Sequence, residues 1–319
     1  MPAGGASQRP YQDPQHGAKA KQRQDGVRPA ACANEITGGV SLQMYFEKRN
    51  HRRGRRILFA AAVLLAVAAV FCAFVALRPP AGVPILEYHM VDTQEDEDSH
   101  PYNVPPEAFA AQLDYLQREG YTTITLLDYL RAKKGKQQLP AKPIILTFDD
   151  GYEDNYTQML PLLEARGMRA VVFVVTNDIG QPDYLTWDEL RDMSRRGIEI
   201  GSHTANHQPL TSMTAQERAD EIHLSKLLLE WNGLPTVFSF SYPNGAYDAA
   251  LPALLQENEY LAAVTGDAGL NTFATNPYLL QRVNIPHPRL GLLEFRLRLF
   301  KAKLFARLGW RQHIEGAGE

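Results

Sequence analysis

Residues 57–77 form an uninterrupted run of 21 apolar residues, ILFAAAVLLAVAAVFCAFVAL, with no charge, glycine or proline. About 20 residues at a rise of ~1.5 Å each cover a hydrocarbon core of roughly 30 Å. A lone segment in lipid can satisfy its backbone groups only as a helix. The run therefore divides the chain into an N-terminal stretch, 1–56, and a C-terminal part long enough for one sizeable core.

The flanks of the run differ. Upstream, KRNHRRGRR carries six Lys/Arg; downstream, only Arg78 precedes the helix-stopping Pro79-Pro80. Positive charge is retained on the cytoplasmic side, so the expected topology is a single-pass cell-membrane anchor over 57–77, N-terminus inside and the remainder outside. A cleavable signal peptide fits less well, because the run exceeds the ~7–15 residues of a typical h-region and no clear A-x-A site follows. Residues 1–43 are rich in Gln, Gly, Ala, Pro and charge without apolar periodicity, and are expected to be disordered. Met44, directly before the basic flank, would serve as an alternative start that keeps the anchor whole. The expected domains are a disordered basic cytoplasmic tail (1–56), the anchor (57–77), a folded domain (80–288) and a basic amphipathic C-terminal helix or tail (289–319).

The formal net charge of −3 conceals an asymmetry. Residues 1–56 hold eleven Lys/Arg against four Asp/Glu, a net of +7. Residues 79–288 hold fourteen against twenty-nine, a net of −15, and residues 289–312 return to +6. An acidic central domain excludes nucleic acid as the main ligand, since a face that binds phosphates should itself be basic. Basic ends suit a chain whose ends lie near an anionic membrane surface. Cys32 and Cys72 both lie outside the expected folded domain, which therefore has no disulfide framework.

From Pro84 onward, short apolar runs alternate with helical stretches, and no internal repeat is found. PILEY (84–88), IILTF (144–148), AVVFVV (170–175), FSFSY (238–242) and LAAVT (261–265) read as strands. Residues 106–119 read as a helix with Phe109, Leu113 and Leu116 on one face, and Met159, Leu162 and Leu163 fall at helical spacing. Residues 214–232 read as a further amphipathic helix. Alternating strands and helices imply a parallel sheet or β/α barrel, whose chemistry sits at the C-terminal strand ends.

Two polar clusters fall at such ends. In TFDDG, Asp149 and Asp150 would point to opposite faces in mid-strand, but Gly151 lets the chain turn so that both reach the mouth. Two carboxylates this close disfavour joint ionisation unless a cation compensates. Alone, the motif reads equally as a solvated turn. In EIGSHTANH, His203 and His207 are four residues apart, a spacing that presents two imidazoles on one side of a turn. With the Asp pair they make a two-His, one-Asp facial set with open positions, as catalytic zinc needs.

TFDDGYEDNY, followed about fifty residues later by LTWDELRDM and GIEIGSHTANH, resembles the NodB-type polysaccharide deacetylases, carbohydrate esterase family 4. The resemblance covers about residues 83–288. FSYPNGAYD (240–248) is similar to the YPYG variant of poly-N-acetylglucosamine deacetylases, where many members have an Arg-Pro-Pro-Tyr-Gly segment; PILEYHMV resembles that subgroup's opening strand. The resemblance implies an α/β fold, a distorted (β/α) barrel of the NodB homology type. It implies that Asp150, His203 and His207 bind one divalent metal ion of the zinc class and that Asp149 is the general base. It assigns the oxyanion donor to a backbone N–H, here that of Asn244, flanked by Tyr242 and Pro243 as substrate-binding or supporting residues.

The chain departs from the family at two points. The motif Arg that orients the base corresponds to Ser241, leaving Arg282 in LLQRVNIP as a replacement from another strand, or as a surface Arg. The late Leu-x-His motif that carries the general acid has no clear counterpart. His287 lies in a Pro-bracketed turn, and His89, at the end of the first strand, is the better placed, as acid or as a supporting residue. The Thr204 hydroxyl is expected either to brace the loop between the histidines or to satisfy local backbone groups. Tyr152, Tyr156, Trp187, Tyr242 and Tyr247 lie around the motifs, mostly as core residues. Residues 290–310 alternate apolar and basic positions, as a helix lying on a membrane or packed on the barrel.

The resemblance thus implies a hydrolase acting on a carbon–nitrogen bond other than a peptide bond, removing N-acetyl groups from an envelope or extracellular polysaccharide containing N-acetylglucosamine. The alternatives are an O-acetyl esterase on a xylan-like glycan and a non-catalytic glycan-binding envelope module. Binding alone does not require a base beside a metal ligand, so Asp149 speaks against the latter.

Overall fold

The computed structural model describes residues 38–77, 82–93 and 101–308. The expected disorder of residues 1–37 and the tail beyond 308 lie outside the described residues. Helix α1 (Gly38–Leu77) contains the one described helix long and apolar enough to cross a membrane, Gly54–Phe74. Ile57, Leu58 and Phe59 are each about two-thirds exposed or more, so the helix is apolar without protein cover. It begins six residues inside the stretch expected to be disordered. SLQMYFEKR is made largely of good helix formers, and extending a nucleated helix is far easier than starting one.

The rest of the described chain is built on strands that are all parallel. In chain order it runs β1 (Ile85–Tyr88), α2 (Pro106–Arg118), β2 (Thr122–Thr123), α3 (Leu126–Lys133) and β3 (Pro143–Phe148). One π-type turn (Asn155–Met159) leads into α4 (Leu160–Glu164), then β4 (Val171–Val174), α5 (Trp187–Arg195), β5 (Glu199–Ser202) and α6 (Ala215–Trp231). The chain closes with β6 (Ser239–Ser241), α7 (Leu251–Glu257), β7 (Ala262–Ala268), β8 (Leu280–Asn284) and α8 (Leu292–Leu308). The strand order is β1-β8-β7-β6-β5-β4-β3, and β1 also pairs with β3, so seven parallel strands close into a barrel; β2 hangs on the outer edge of β3. This is the α/β barrel architecture the resemblance implied.

Alternation along the strands separates two cores. Leu86, Tyr88, Leu146, Phe148, Val172 and Val174 face the helices and join Phe109, Leu113 and Leu190 in the larger cluster. Ile85, Ile145, Val171, Phe173, Val264 and Leu280 belong to a second cluster, inside the barrel, with Leu126, Tyr129 and Leu130 of α3. Glu87, Thr147 and Arg282 share the parity of Ile85, Ile145 and Leu280, so the interior turns polar near the C-terminal strand ends. Helices α3, α5 and α6 each start with a reciprocal threonine capping box, Thr125 with Asp128, Thr186 with Glu189 and Thr214 with Glu217.

One expectation changes. Helix α6 is present but not cleanly amphipathic: Glu221, Ser225 and Lys226 are buried, while Leu224, Leu227 and Trp231 are exposed. Of the inward polar groups, Glu221 serves the histidine loop, as described below, Ser225 meets the Ser202 hydroxyl of β5 and Lys226 donates to the Val237 carbonyl. Of the two readings left open for residues 290–310, the inner side of α8 follows packing on the barrel, with Phe295 and Leu299 in the larger core.

Candidate active site

Strand β3 ends at Phe148, and the next two residues diverge. Asp149 keeps extended pairing, its N–H donating to the Tyr88 carbonyl at 2.9 Å, and the residue is 2% exposed. Asp150 enters the left-handed region at φ 73°, followed by Gly151 at φ 81°, which swings its carboxylate towards β5. Among the described non-glycine residues, six have positive φ, and Asp150, Thr204, His207 and Asn244 are four of them. Such conformations cost of order 1 kcal/mol or more each and persist where surrounding contacts hold them.

Asp149 meets a buried cation. The Arg282 Nη1 lies 2.9 and 2.8 Å from its two carboxylate oxygens, and the Ser241 hydroxyl donates to Oδ2 at 3.0 Å. The same guanidinium reaches Glu87 Oε1 from Nη2 at 2.9 Å and donates from Nε to the Thr265 carbonyl at 3.0 Å. Arg282 is 1% exposed and sits between two carboxylates, which excludes its reading as a surface arginine. Burial pushes the Asp149 carboxyl up, but Arg282, His203 and His89 outweigh it and hold it at about 2. Ser241 thus touches the same carboxylate from the position where the resemblance expects Arg.

The imidazoles converge on Asp150. His203 Nε2 is 3.5 Å and His207 Nε2 is 3.4 Å from Asp150 Oδ1, and one ligand atom from each of the three residues lies within 4.8 Å of the others. These separations are long for hydrogen bonds, yet a tetrahedral ion with bonds of about 2.1 Å has ligand–ligand edges of about 3.4 Å. His203 Nδ1 lies 2.8 Å from the Ser241 carbonyl, which fixes Nδ1 as the protonated nitrogen and turns the Nε2 lone pair to Asp150. Burial lowers the His203 pKa against the pull of Asp149 and Asp150, favouring the neutral ring a metal requires. The donor set fits a divalent ion of the zinc class.

The loop carrying the histidines is braced from both ends. The His207 N–H donates to the Thr204 hydroxyl at 3.0 Å, so Thr204 satisfies a local backbone group and closes the turn together. Glu221 of α6 accepts from the N–H groups of Ala205 at 2.8 Å and Asn206 at 3.0 Å. Neither Glu221 nor Glu87 stands out in the sequence. The only available signal is an acidic residue at an inward helix or strand position, and that pattern also describes many exposed faces.

Other expected residues divide into near and far. Asn244 stands exposed at the tip of a short turn (Pro243–Gly245) after β6, with φ 55° and ψ 15°. Tyr242 and Pro243 are buried, and the Tyr242 hydroxyl donates to the Tyr278 carbonyl at 3.1 Å; these two support the turn and do not face solvent. His89 stacks on Tyr102 at 4.7 Å, and its Nδ1 is buried without a partner in the structure. Glu87, His89 and Asp149 have ligand atoms within 4.8 Å, so His89 reaches the base's side of the mouth. His287 Nδ1 instead lies 3.0 Å from the Asn103 carbonyl, a structural contact. Tyr152 stacks on Tyr184 at 5.2 Å beside Asp150, Tyr156 and Tyr247 donate to Asp192 and Asp267, and Trp187 is partly buried on the larger core.

The family model for polysaccharide deacetylases matches residues 136–263. The chain is 30% identical over 213 residues to YxkH of Bacillus subtilis, which carries a polysaccharide deacetylase name; the match spans 67% of this chain and 75% of that protein. It is 30% identical over 144 residues to the poly-β-1,6-N-acetyl-D-glucosamine N-deacetylase of Escherichia coli K12, spanning 40% of this chain but 21% of that protein. Among solved structures, the Streptococcus pyogenes deacetylase PplD in complex with acetate superposes with a TM-score of 0.64 at 25% identity, over 70% of this chain and 99% of that one. A barrel of this kind therefore stands alone as a whole chain in that structure. The chain belongs to the polysaccharide deacetylase family.

Proposed function

We propose that this chain is a metal-dependent N-deacetylase of an N-acetylglucosamine-containing envelope or extracellular polysaccharide, with residues 80–288 as its catalytic core. The observation that carries the reading is the pairing of Asp149 with Arg282 directly beside the Asp150, His203 and His207 set. A site that only binds glycan has no need of a buried, ionised carboxylate next to a metal triad. Asp150, His203 and His207 would hold a divalent ion, zinc by the nature of the donors, which when bound would acidify a water and polarise the acetyl carbonyl.

The chain's own residues do the rest. Asp149, kept ionised and oriented by Arg282 and Ser241, takes the proton of the attacking water. The backbone N–H of Asn244, at the exposed tip of its turn, donates to the oxygen that becomes negative. His89, on the base's side of the mouth with Nδ1 unpartnered, is placed to hand a proton to the departing amine. Tyr152 with Tyr184, and Tyr102 over His89, offer aromatic faces for sugar rings on two sides of the mouth.

The apolar helix anchors the protein in the cell membrane as a single pass, with the basic flank inside and the barrel outside. Poly-N-acetylglucosamine is the first substrate to test, because a relative acting on it matches at 30% identity. Acetate release by the purified chain is measured on poly-β-1,6-N-acetylglucosamine, chito-oligosaccharides and acetylxylan, before and after chelation and with zinc restored. Acetate from an N-acetylated glycan, abolished by chelation and restored by zinc, is expected. Release from acetylxylan alone would move the reading to ester hydrolysis, and no release from any would leave a binding module.

A further inference from the structure

Helix α8 is apolar on two sides. Its inward side is covered: Phe295 and Leu299 are buried, and Phe295 meets Tyr115 edge-on at 6.0 Å. Its outward side is largely exposed. Leu290, just before the helix, is 64% exposed, and Leu293, Leu297 and Leu308 are 53%, 51% and 47% exposed. Partly buried Phe300 and Leu304 continue the line at steps of three and four residues, which places all of them on one face. Basic side chains border that stripe. The helix carries Arg296, Arg298, Lys301, Lys303 and Arg307 against Glu294 alone, and Glu294 is held by Arg298 at 2.7 Å.

We propose that the outward face of α8 lies on an anionic lipid bilayer, its leucines at the boundary between headgroups and acyl chains. Single exposed leucines need no explanation, but a continuous row along four turns of helix does. A protein partner fits this face poorly. Interface cores favour aromatic anchors and are depleted of lysine, whereas the most exposed positions of the stripe are all leucines, with Phe300 partly covered, and Lys301 and Arg296 border it. Leucines flanked by cations are the composition of helices that bind in the plane of a membrane, where basic groups meet lipid phosphates. With the apolar span Gly54–Phe74 inserted as proposed above, this face would meet such a surface at high effective concentration. The deacetylase reading is not needed for this inference.

The barrel fragment, residues 80–319, lacks the span and tests the face alone. It is floated with vesicles of phosphatidylglycerol and phosphatidylcholine and, separately, with phosphatidylcholine vesicles. Partition into the anionic vesicles should be at least about tenfold higher, and should collapse at high salt. Leu293→Glu with Leu297→Glu should lower it by at least roughly tenfold, with the melting transition kept because both positions are exposed. Should that pair fail to fold, Arg296→Glu with Lys301→Glu gives the same test through the charges. Equal flotation of parent and variants, or none by the parent, would overturn the proposal. A concentration-dependent dimer dissolved by the same leucine changes would also overturn it, by assigning the stripe to a second copy of the chain.

Discussion

Asp149 and Asp150 are neighbours in the chain with opposite surroundings. Asp149 is enclosed, paired with Arg282 and the Ser241 hydroxyl, whereas Asp150 turns out at φ 73° to face two imidazoles. That difference predicts distinct losses. Asp149→Asn keeps the shape but removes the proton acceptor, so turnover should fall ~10²–10⁴-fold while zinc stays near one per chain. Asp150→Asn and His203→Ala should lose zinc and activity together. Zinc content and acetate release, measured side by side, decide the roles; loss of metal in Asp149→Asn with retention in Asp150→Asn would exchange them. Arg282 should matter for folding as well, because Arg282→Met leaves Glu87 and Asp149 buried without their cation. A loss of roughly 3–5 kcal/mol is expected in denaturant titration. These two predictions also mark where the sequence stopped being informative. The metal set sits in two contiguous motifs, while Asp149 and Arg282 are far apart in the chain, and a buried arginine is spelled like an exposed one.

Elements show the same division. Strands β1, β3, β4, β6 and β7 were legible because they are dense in apolar or β-branched residues. Strand β8, LQRVN, was not read as one because its interior carries Arg282 and its neighbours are polar. Two-residue β2 is too short for any periodicity. In α6 the pattern misled, since Glu221 points inward to hold the N–H groups of Ala205 and Asn206. A tight approach between the turn after β6 and strand β7 is equally hidden. A Cβ on Gly245 would stand 2.3 Å from the Gly266 nitrogen and 2.4 Å from its Cα, at a φ of +67°. Gly245→Ala must therefore push the turn that presents Asn244 away from β7. It should cost roughly 2–4 kcal/mol in thermal or denaturant unfolding. If Asn244 supplies the oxyanion donor, turnover should fall while zinc content does not, since none of the three metal ligands lies on that turn.

At the scale of the whole barrel, the two ends treat buried charge differently. The mouth neutralises its carboxylates with Arg282, whereas at the opposite end Glu199 opens β5 with no buried cation beside it. Its Oε2 accepts from the Leu127 N–H at 3.0 Å and its Oε1 from the Ser239 hydroxyl at 2.8 Å, tying α3 and β6 to β5. Burial raises its pKa from the ordinary 4.5 to about 7, more than these hydrogen bonds lower it. The sign follows from proton counting. Between about pH 4.5 and 7 the folded chain holds the Glu199 proton more tightly than the unfolded chain does. The stability this contributes is full below the unfolded value and is lost as pH rises through the folded one. The displacement corresponds to roughly 3 kcal/mol at its limit. Glu199→Gln keeps an oxygen for Leu127 and cannot ionise, so it should match the parent near pH 4.5 and exceed it by up to that amount above pH 8. The difference between parent and variant isolates this group, because carboxylates held low by partners elsewhere, such as Glu217 and Asp248, change the stability of both alike. Denaturant titrations across that range measure it, and two parallel stability curves would show that Glu199 ionises in the fold as it does in water.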